Sequence, residues 1–271
     1  MKDLVVVIGD THSRIDLAVE GIERIEAEYQ RPVAQVFSAG DLGLFLEETD
    51  WNFLTGPKKY RHPELSKNIR AAWKKWRWPL SSIAGNHEPF NRLRDFDPGY
   101  FDGKLNYTNA GKLLHSLEGL RVVGLSGIYH PHEYSSRPSG ATSWAEMVEQ
   151  VKNQKLSTKV LSYYKMKEVE LLKKLPPRPD LLLLHDWPIT PAHLAPSSHK
   201  PEADIVEALK PAVVCCGHHH TGHHFTIGST EGYALNIINS KESRYRINQD
   251  WAALFEYVEG RFSFLTTWPK A

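Results

Sequence analysis

The chain has 271 residues, and its 33 Lys and Arg nearly balance 32 Asp and Glu, giving a formal net charge of +1. Apolar residues make up 41% and charged residues 24%, the mix of an ordinary soluble globular protein. A chain of this size buries roughly 70–75% of its unfolded surface. The composition excludes a disordered chain, and no apolar run approaches the ~20 residues that a membrane-spanning helix needs. Near-neutral charge also argues against wrapping duplex nucleic acid over the whole surface, while leaving room for a local basic patch.

The first apolar run, residues 4–8, stops in Gly9-Asp10 without a small-residue cleavage site. It reads as a buried first strand rather than a signal peptide. Cys215 and Cys216 are adjacent, so on a strand they point to opposite faces and are poorly placed to pair. Two reduced thiols and a cytoplasmic protein are the expectation.

Residues 4–8, 33–38, 81–84, 121–126, 181–184 and 212–216 read as strands buried on both faces. Residues 15–29, 62–76, 160–175 and 202–209 have helical spacing with polar flanks, and Pro176, Pro177 and Pro179 stop the third of these. The tail, with strand-like runs at 225–227, 233–238, 252–257 and 261–267, suggests an antiparallel meander. An α/β fold follows, as a single domain over residues 1–271 with two packed sheets. Residues 128–143 stand apart as a long excursion carrying His130, His132, Tyr134 and Arg137, and His130 and His132 are candidates to line a substrate cleft.

Metal-ligand residue types follow predicted strands repeatedly. The strings are Gly9-Asp10-Thr11-His12, Gly40-Asp41, Gly85-Asn86-His87-Glu88, His185-Asp186 and Gly217-His218-His219-His220. Loops at the carboxyl ends of strands in an open α/β sheet are where ligands gather, so five such ends can converge. Asp10 and His12, like His218 and His220, are two residues apart and face one way in extended backbone, whereas His219 should point away. Carboxylates, imidazoles and one amide suit divalent Mn, Fe, Zn or Co, with Mn the first to try in vitro. Two ions are needed to use every group. Roughly 3.5–4 Å apart, they would clamp an in-line displacement and lower the pKa of a bridging water towards ~7. Taken singly, Asp10 and Asp41 would be ordinary turn or helix-capping residues, Asn86 a turn residue and His185 a core histidine. Asp186 reads as a turn or loop brace rather than a ligand, and the set as a whole reads as a metal centre.

The five strings in this order resemble the calcineurin-like metallophosphoesterase superfamily, whose pattern is D-x-H, G-D, G-N-H, H and G-H-x-H. The resemblance implies a two-sheet mixed β-sandwich flanked by helices. It places Asp10, His12 and His220 on one metal, Asn86, His185 and His218 on the other, and Asp41 between them. His87 becomes the group that contacts substrate phosphate and protonates the leaving oxygen. Within the superfamily, the stretch 184–188, the Gly85–Glu88 string, residues 119–128 and Tyr60-Arg61-His62-Pro63 look like RNA lariat debranching enzymes. Those enzymes usually carry Cys where this chain has Asp10, and they continue into a longer C-terminal domain; the Asp favours a filled two-metal site.

Between Gly56 and Trp78 eight basic residues face a single Glu64, with Tyr60, Trp73, Trp76 and Trp78 interleaved. Such a segment suits single-stranded nucleic acid. It equally describes an amphipathic helix whose tryptophans are core, because Ile69, Trp73 and Trp76 have core spacing. The expected activity is hydrolysis of a phosphate ester, a phosphodiester on nucleotides or on single-stranded or branched RNA. A phosphomonoesterase or a Ser/Thr-type protein phosphatase is the alternative, and a partner-binding scaffold that has kept the fold but lost catalysis a third reading. Neither a membrane partner nor a particular oligomeric state is indicated.

Overall fold

Alternation of burial along short strands builds the framework. The structure, a computed structural model, describes residues 2–94, 96–113, 117–135, 144–189, 200–239 and 246–269. In β1 (Asp3–Ile8) the side chains of Leu4, Val6 and Ile8 pack on one core cluster, and those of Val5 and Val7 on another. Adjacent side chains on a strand point to opposite faces, so an all-apolar strand demands cover on both sides. β7 (Leu181–Leu184) and β8 (Val213–Cys216) repeat the pattern: Leu181, Leu183, Val213 and Cys215 enter the inter-sheet core, while Leu182, Leu184, Val214 and Cys216 face outward. The two cysteines are thus buried in different cores and both are free, as their adjacency requires.

The first sheet has the order β12-β11-β1-β2-β3-β4, with β2 (Val33–Ser38), β3 (Leu80–Ser82) and β4 (Leu105–Tyr107) parallel to β1. The second has the order β5-β6-β7-β8-β10-β9, built on parallel β6 (Val122–Leu125), β7, β8 and β10 (Thr230–Ala234) with β5 (Ala110–Leu113) and β9 (His223–Ile227) antiparallel at its edges. Helix α1 (Ile15–Tyr29) buries Ile15, Ala18, Val19, Ile22 and Ile25, one apolar stripe of helical spacing, against the outer face of the first sheet, where α2 (Ser66–Lys75) joins it. Short α3 (Phe90–Leu93) and α4 (Pro131–Tyr134) follow, then α5 (Trp144–Lys152); α6 (Met166–Lys173) and α7 (Pro201–Leu209) cover the second sheet. The architecture is the expected pair of mixed sheets between helical layers.

Two expectations need correction. The tail is not one meander: β9 and β10 form a hairpin on the second sheet, whereas β11 (Ala252–Val258) pairs antiparallel with both β1 and β12 (Arg261–Trp268) on the first. Local strand signals give no information about which sheet a hairpin joins. The helix expected over 160–175 is interrupted, because Ile128 accepts from Tyr164 and donates to Ser162, holding residues 163–164 extended. Helix α6 then starts afresh where the Glu168 carboxylate accepts the Lys165 N–H at 2.8 Å. Tryptophans 73, 76 and 78 are buried, so the core reading of that segment holds for them. Strands β4 and β5 and helix α5 were not anticipated; three or four residues carry too little periodicity to signal a strand.

Candidate metal centre

The parallel strands of both sheets run the same way into one end of the molecule, and their last residues are tied together by backbone bonds. Ala39 N–H donates to Ile8 O, Gly217 N–H to His185 O, and Thr11 and His12 N–H to Asp41 O. The chain turns at once after each strand. Asp41, His12, His218 and His220 all have positive φ, at 53°, 43°, 69° and 53°, a conformation that non-glycine residues seldom adopt without compensation. Gly85 and Gly217 are required by close approach: a Cβ on Gly85 would meet Asp41 Oδ1 at 2.0 Å, and one on Gly217 would meet Asp10 Oδ1 at 2.2 Å.

These turns aim donor atoms at a common space. His220 Nε2 lies 3.1 Å from Asp10 Oδ2 and 2.9 Å from His12 Nε2. His12 Nε2 is 3.6 Å from Asp41 Oδ2, which is itself 3.5 Å from His185 Nε2. His185 Nδ1 is 2.8 Å from the Ala39 carbonyl and donates to it, which turns Nε2 towards Asn86 Oδ1 at 3.2 Å. The His218 ring sits 5.2 Å from that of His185, and its backbone N–H donates to Asp10. Asp10 and Asp41 are fully buried, and Asp41 Oδ2 accepts no hydrogen bond among the described residues. A buried, unpartnered carboxylate oxygen facing ring nitrogens and an amide oxygen fits a divalent cation, because a buried charge is costly unless paired or metal-bound.

The electrostatics agree. Burial opposes the charge of Asp10, but contacts with His12 and His220 hold its carboxyl below the usual range. Burial also opposes a charged His185, yet the Asp41 carboxylate lifts its pKa to about 10, so a proton occupies this site when no cation does. His218 is pushed down to about 4 by burial and by the charge of His185, leaving a neutral ring suited to ligation. Burial lowers His87 as well, and its ring lies 5.0 Å from that of His12 while its N–H donates to Asp41 Oδ1 at 2.7 Å.

Seven expected ligands (Asp10, His12, Asp41, Asn86, His185, His218 and His220) and His87 therefore lie around one place. His130 stacks on Tyr163 with ring centroids 4.6 Å apart, and the groove above the cluster is lined by other residues. Arg137 lies outside the described residues. His219 points away from Asp10 and towards Asp186 Oδ1 at 3.3 Å, and together with His218 these two could hold an ion of their own. Two supports escaped sequence reasoning. Glu88 is buried and accepts the N–H groups of Leu42 and Gly43, clamping the Asp41 loop, and the Thr55 hydroxyl donates to the Asn86 carbonyl. The position of Glu88 beside the Gly85-Asn86-His87 string was the available signal; Thr55 had none.

The sequence pattern of calcineurin-like phosphoesterases matches residues 4–222. The chain belongs to this family. It is 27% identical over 187 residues to the lariat debranching enzyme of Homo sapiens, an alignment covering 68% of this chain and 32% of that protein. The lariat debranching enzyme of Entamoeba histolytica is 22% identical over 267 residues, covering 88% of this chain and 70% of that protein. The chain thus spans about a third of the length of the vertebrate relatives it matches. Among solved structures, one from Thermus thermophilus superposes with a TM-score of 0.51 at 11% identity, covering 98% of this chain and 99% of the other, a likeness of fold alone. No helix among the described residues is long and apolar enough to cross a membrane.

Proposed function

We propose that the chain is a phosphodiesterase that works with two divalent metal ions on nucleotide or RNA phosphodiesters. The observation that carries the reading is the convergence of two buried carboxylates with the imidazoles of His12, His185 and His220, one Asp41 oxygen left unpartnered, and the Asn86 oxygen and the His218 ring beside His185. Asp10, His12 and His220 would hold one ion and Asn86, His185 and His218 the other, with Asp41 available to both. The pair, with Mn the first metal to try ahead of Fe, Zn or Co, would supply a nucleophile at neutral pH and offset phosphate charge. The protein's own part is to fix these donors and to place His87 at the open side. Burial leaves that ring neutral until an anionic ester arrives, whose charge favours the imidazolium that can protonate the leaving oxygen.

RNA is favoured by the debranching enzymes among the relatives, and a diester over a monoester by the same likeness. The Ser/Thr phosphatase alternative predicts an acidic-Arg-Gly string after Asp41. Here the chain continues Leu42-Gly43-Leu44-Phe45-Leu46, and these apolar side chains are buried. Residues 1–271 act as one domain in this reading, because β11 of the tail pairs with β1. The separately buried free cysteines suit the cytoplasm.

The test compares bis(p-nitrophenyl) phosphate, p-nitrophenyl phosphate and a phosphopeptide panel with added Mn. Fastest turnover on the diester, abolished by chelator, is expected. Faster turnover on the monoester or the phosphopeptides would move the protein to those classes. Absence of both bound metal and hydrolysis would leave a scaffold.

A further inference from the structure

A groove of about 370 Å³ opens directly from the cluster, and His12, His87 and His220 form its inner end. That volume lies within the ~300–1,000 Å³ usual for small-molecule sites. Its outer part is apolar and aromatic. Phe45 and Trp51 stack with ring centroids 4.4 Å apart, and the Trp51 indole N–H is spent on the Ser66 hydroxyl. Tyr60, 53% exposed, forms the rim. Lys59 lies over the Tyr60 ring at 5.1 Å from its centroid, and no carboxylate among the described residues lines the groove. The exposed Tyr60 ring continues the apolar lining of the groove, and its setting suits a flat, neutral ring system attached to an anion.

Resting on the phosphodiesterase reading above, we propose that this groove seats the base and sugar of a nucleoside whose phosphate lies on the metal cluster, with Tyr60 as the stacking surface. The occupant follows from continuity: the three histidines at the inner end belong to the phosphate site, so whatever fills the apolar part is covalently joined to that phosphate. A peptide phosphate would place an extended amide chain here, and the groove offers such a chain little beyond imidazoles to bond.

The experiment measures, by calorimetric titration of the Mn-loaded protein, the binding of AMP and of ribose 5-phosphate, which share the phosphate and sugar and differ in the base. AMP should bind about tenfold tighter, the size expected for one stacked base. Tyr60→Ala should erase that ratio while leaving ribose 5-phosphate unchanged, and Tyr60→Phe should restore it. Equal affinities in the unaltered protein, or equal weakening of both ligands by Tyr60→Ala, would overturn the nucleoside groove and leave the phosphoesterase reading standing. Failure of ribose 5-phosphate itself to bind would count against that reading and remove this inference with it.

Discussion

The two sheets contribute unlike halves of the centre. The first sheet supplies both carboxylates, the amide and His12, whereas the second supplies only the imidazoles of His185, His218 and His220. The second sheet does own buried carboxylates, but keeps them behind its imidazoles. Asp186 pairs with Lys200 Nζ at 2.9 Å and faces His219, and Glu202 is buried at the start of α7. Negative charge that attracts a cation therefore comes from one side, and the other side offers neutral donors that bind only after any proton has left. The difference lies in the donors: carboxylates come from the first sheet alone, and the second faces the cluster with imidazoles.

The sharpest way to break this division is Asp41→Ala. It removes the carboxylate shared by both halves, so metal content measured by elemental analysis and turnover should both fall to background. His87→Ala tests the opposite corner, a residue at the centre that holds no metal in this scheme. Metal content should stay intact while kcat drops by roughly 10²–10⁴-fold, the usual worth of a positioned acid. Retained turnover, or lost metal, would show that the ring was assigned the wrong task.

Much of this centre was legible because metal ligation constrains residue type and strand ends constrain position. Asp10, His12, Asp41, Asn86, His185, His218 and His220 all follow a strand visible as an apolar run, and reading them needed only the order of the strings. The helices and strands whose faces are buried on a regular period, such as α1 and β7, were equally visible. What stayed hidden depends on contacts distant in sequence. The tail hairpins divide between sheets through pairing with β1 and β8, which no local pattern encodes. Glu88 reads as an ordinary polar neighbour until folding brings Leu42 and Gly43 over its oxygens.

The pH response sharpens the comparison on the side of the second sheet. Despite burial, the Asp41 carboxylate pushes His185 up to about 10, so a proton on that ring competes with a cation for the site. Affinity for Mn should rise with pH, by about tenfold per unit for each proton released, or roughly 100-fold between pH 6.5 and 8.5. Metal titration at the two values, with proton release followed in weak buffer, checks this. A pH-independent affinity would mean that the imidazoles are already neutral in the metal-free protein.

Glu88→Gln probes the brace of the first sheet. Burial and the neighbouring Asp41 charge push the Glu88 carboxyl up to about 8, against the backbone N–H bonds that favour its ionised form. Its two oxygens accept from Leu42 and Gly43 at 2.9 and 3.0 Å, and an amide would present a donor to one of those donors. The Asp41 loop should loosen, with Mn affinity weakened by about 10–100-fold and the fold retained, as for other supports behind metal ligands.

The smallest effect is expected behind the second sheet, at Glu202. Glu202 is buried, and burial, followed by the Asp186 charge, pushes its pKa up to about 8. The folded protein then keeps a proton there while the unfolded chain, titrating near the ordinary value of 4.5, has lost it. Stability from this group is full below about pH 4.5 and declines as pH rises towards 8. Glu202→Gln keeps the shape without the titration, so between pH 5 and 8 the Tm of the unaltered protein should fall by on the order of 5 °C relative to that of the variant. Parallel Tm curves for the two proteins would mean that Glu202 stays ionised in the fold.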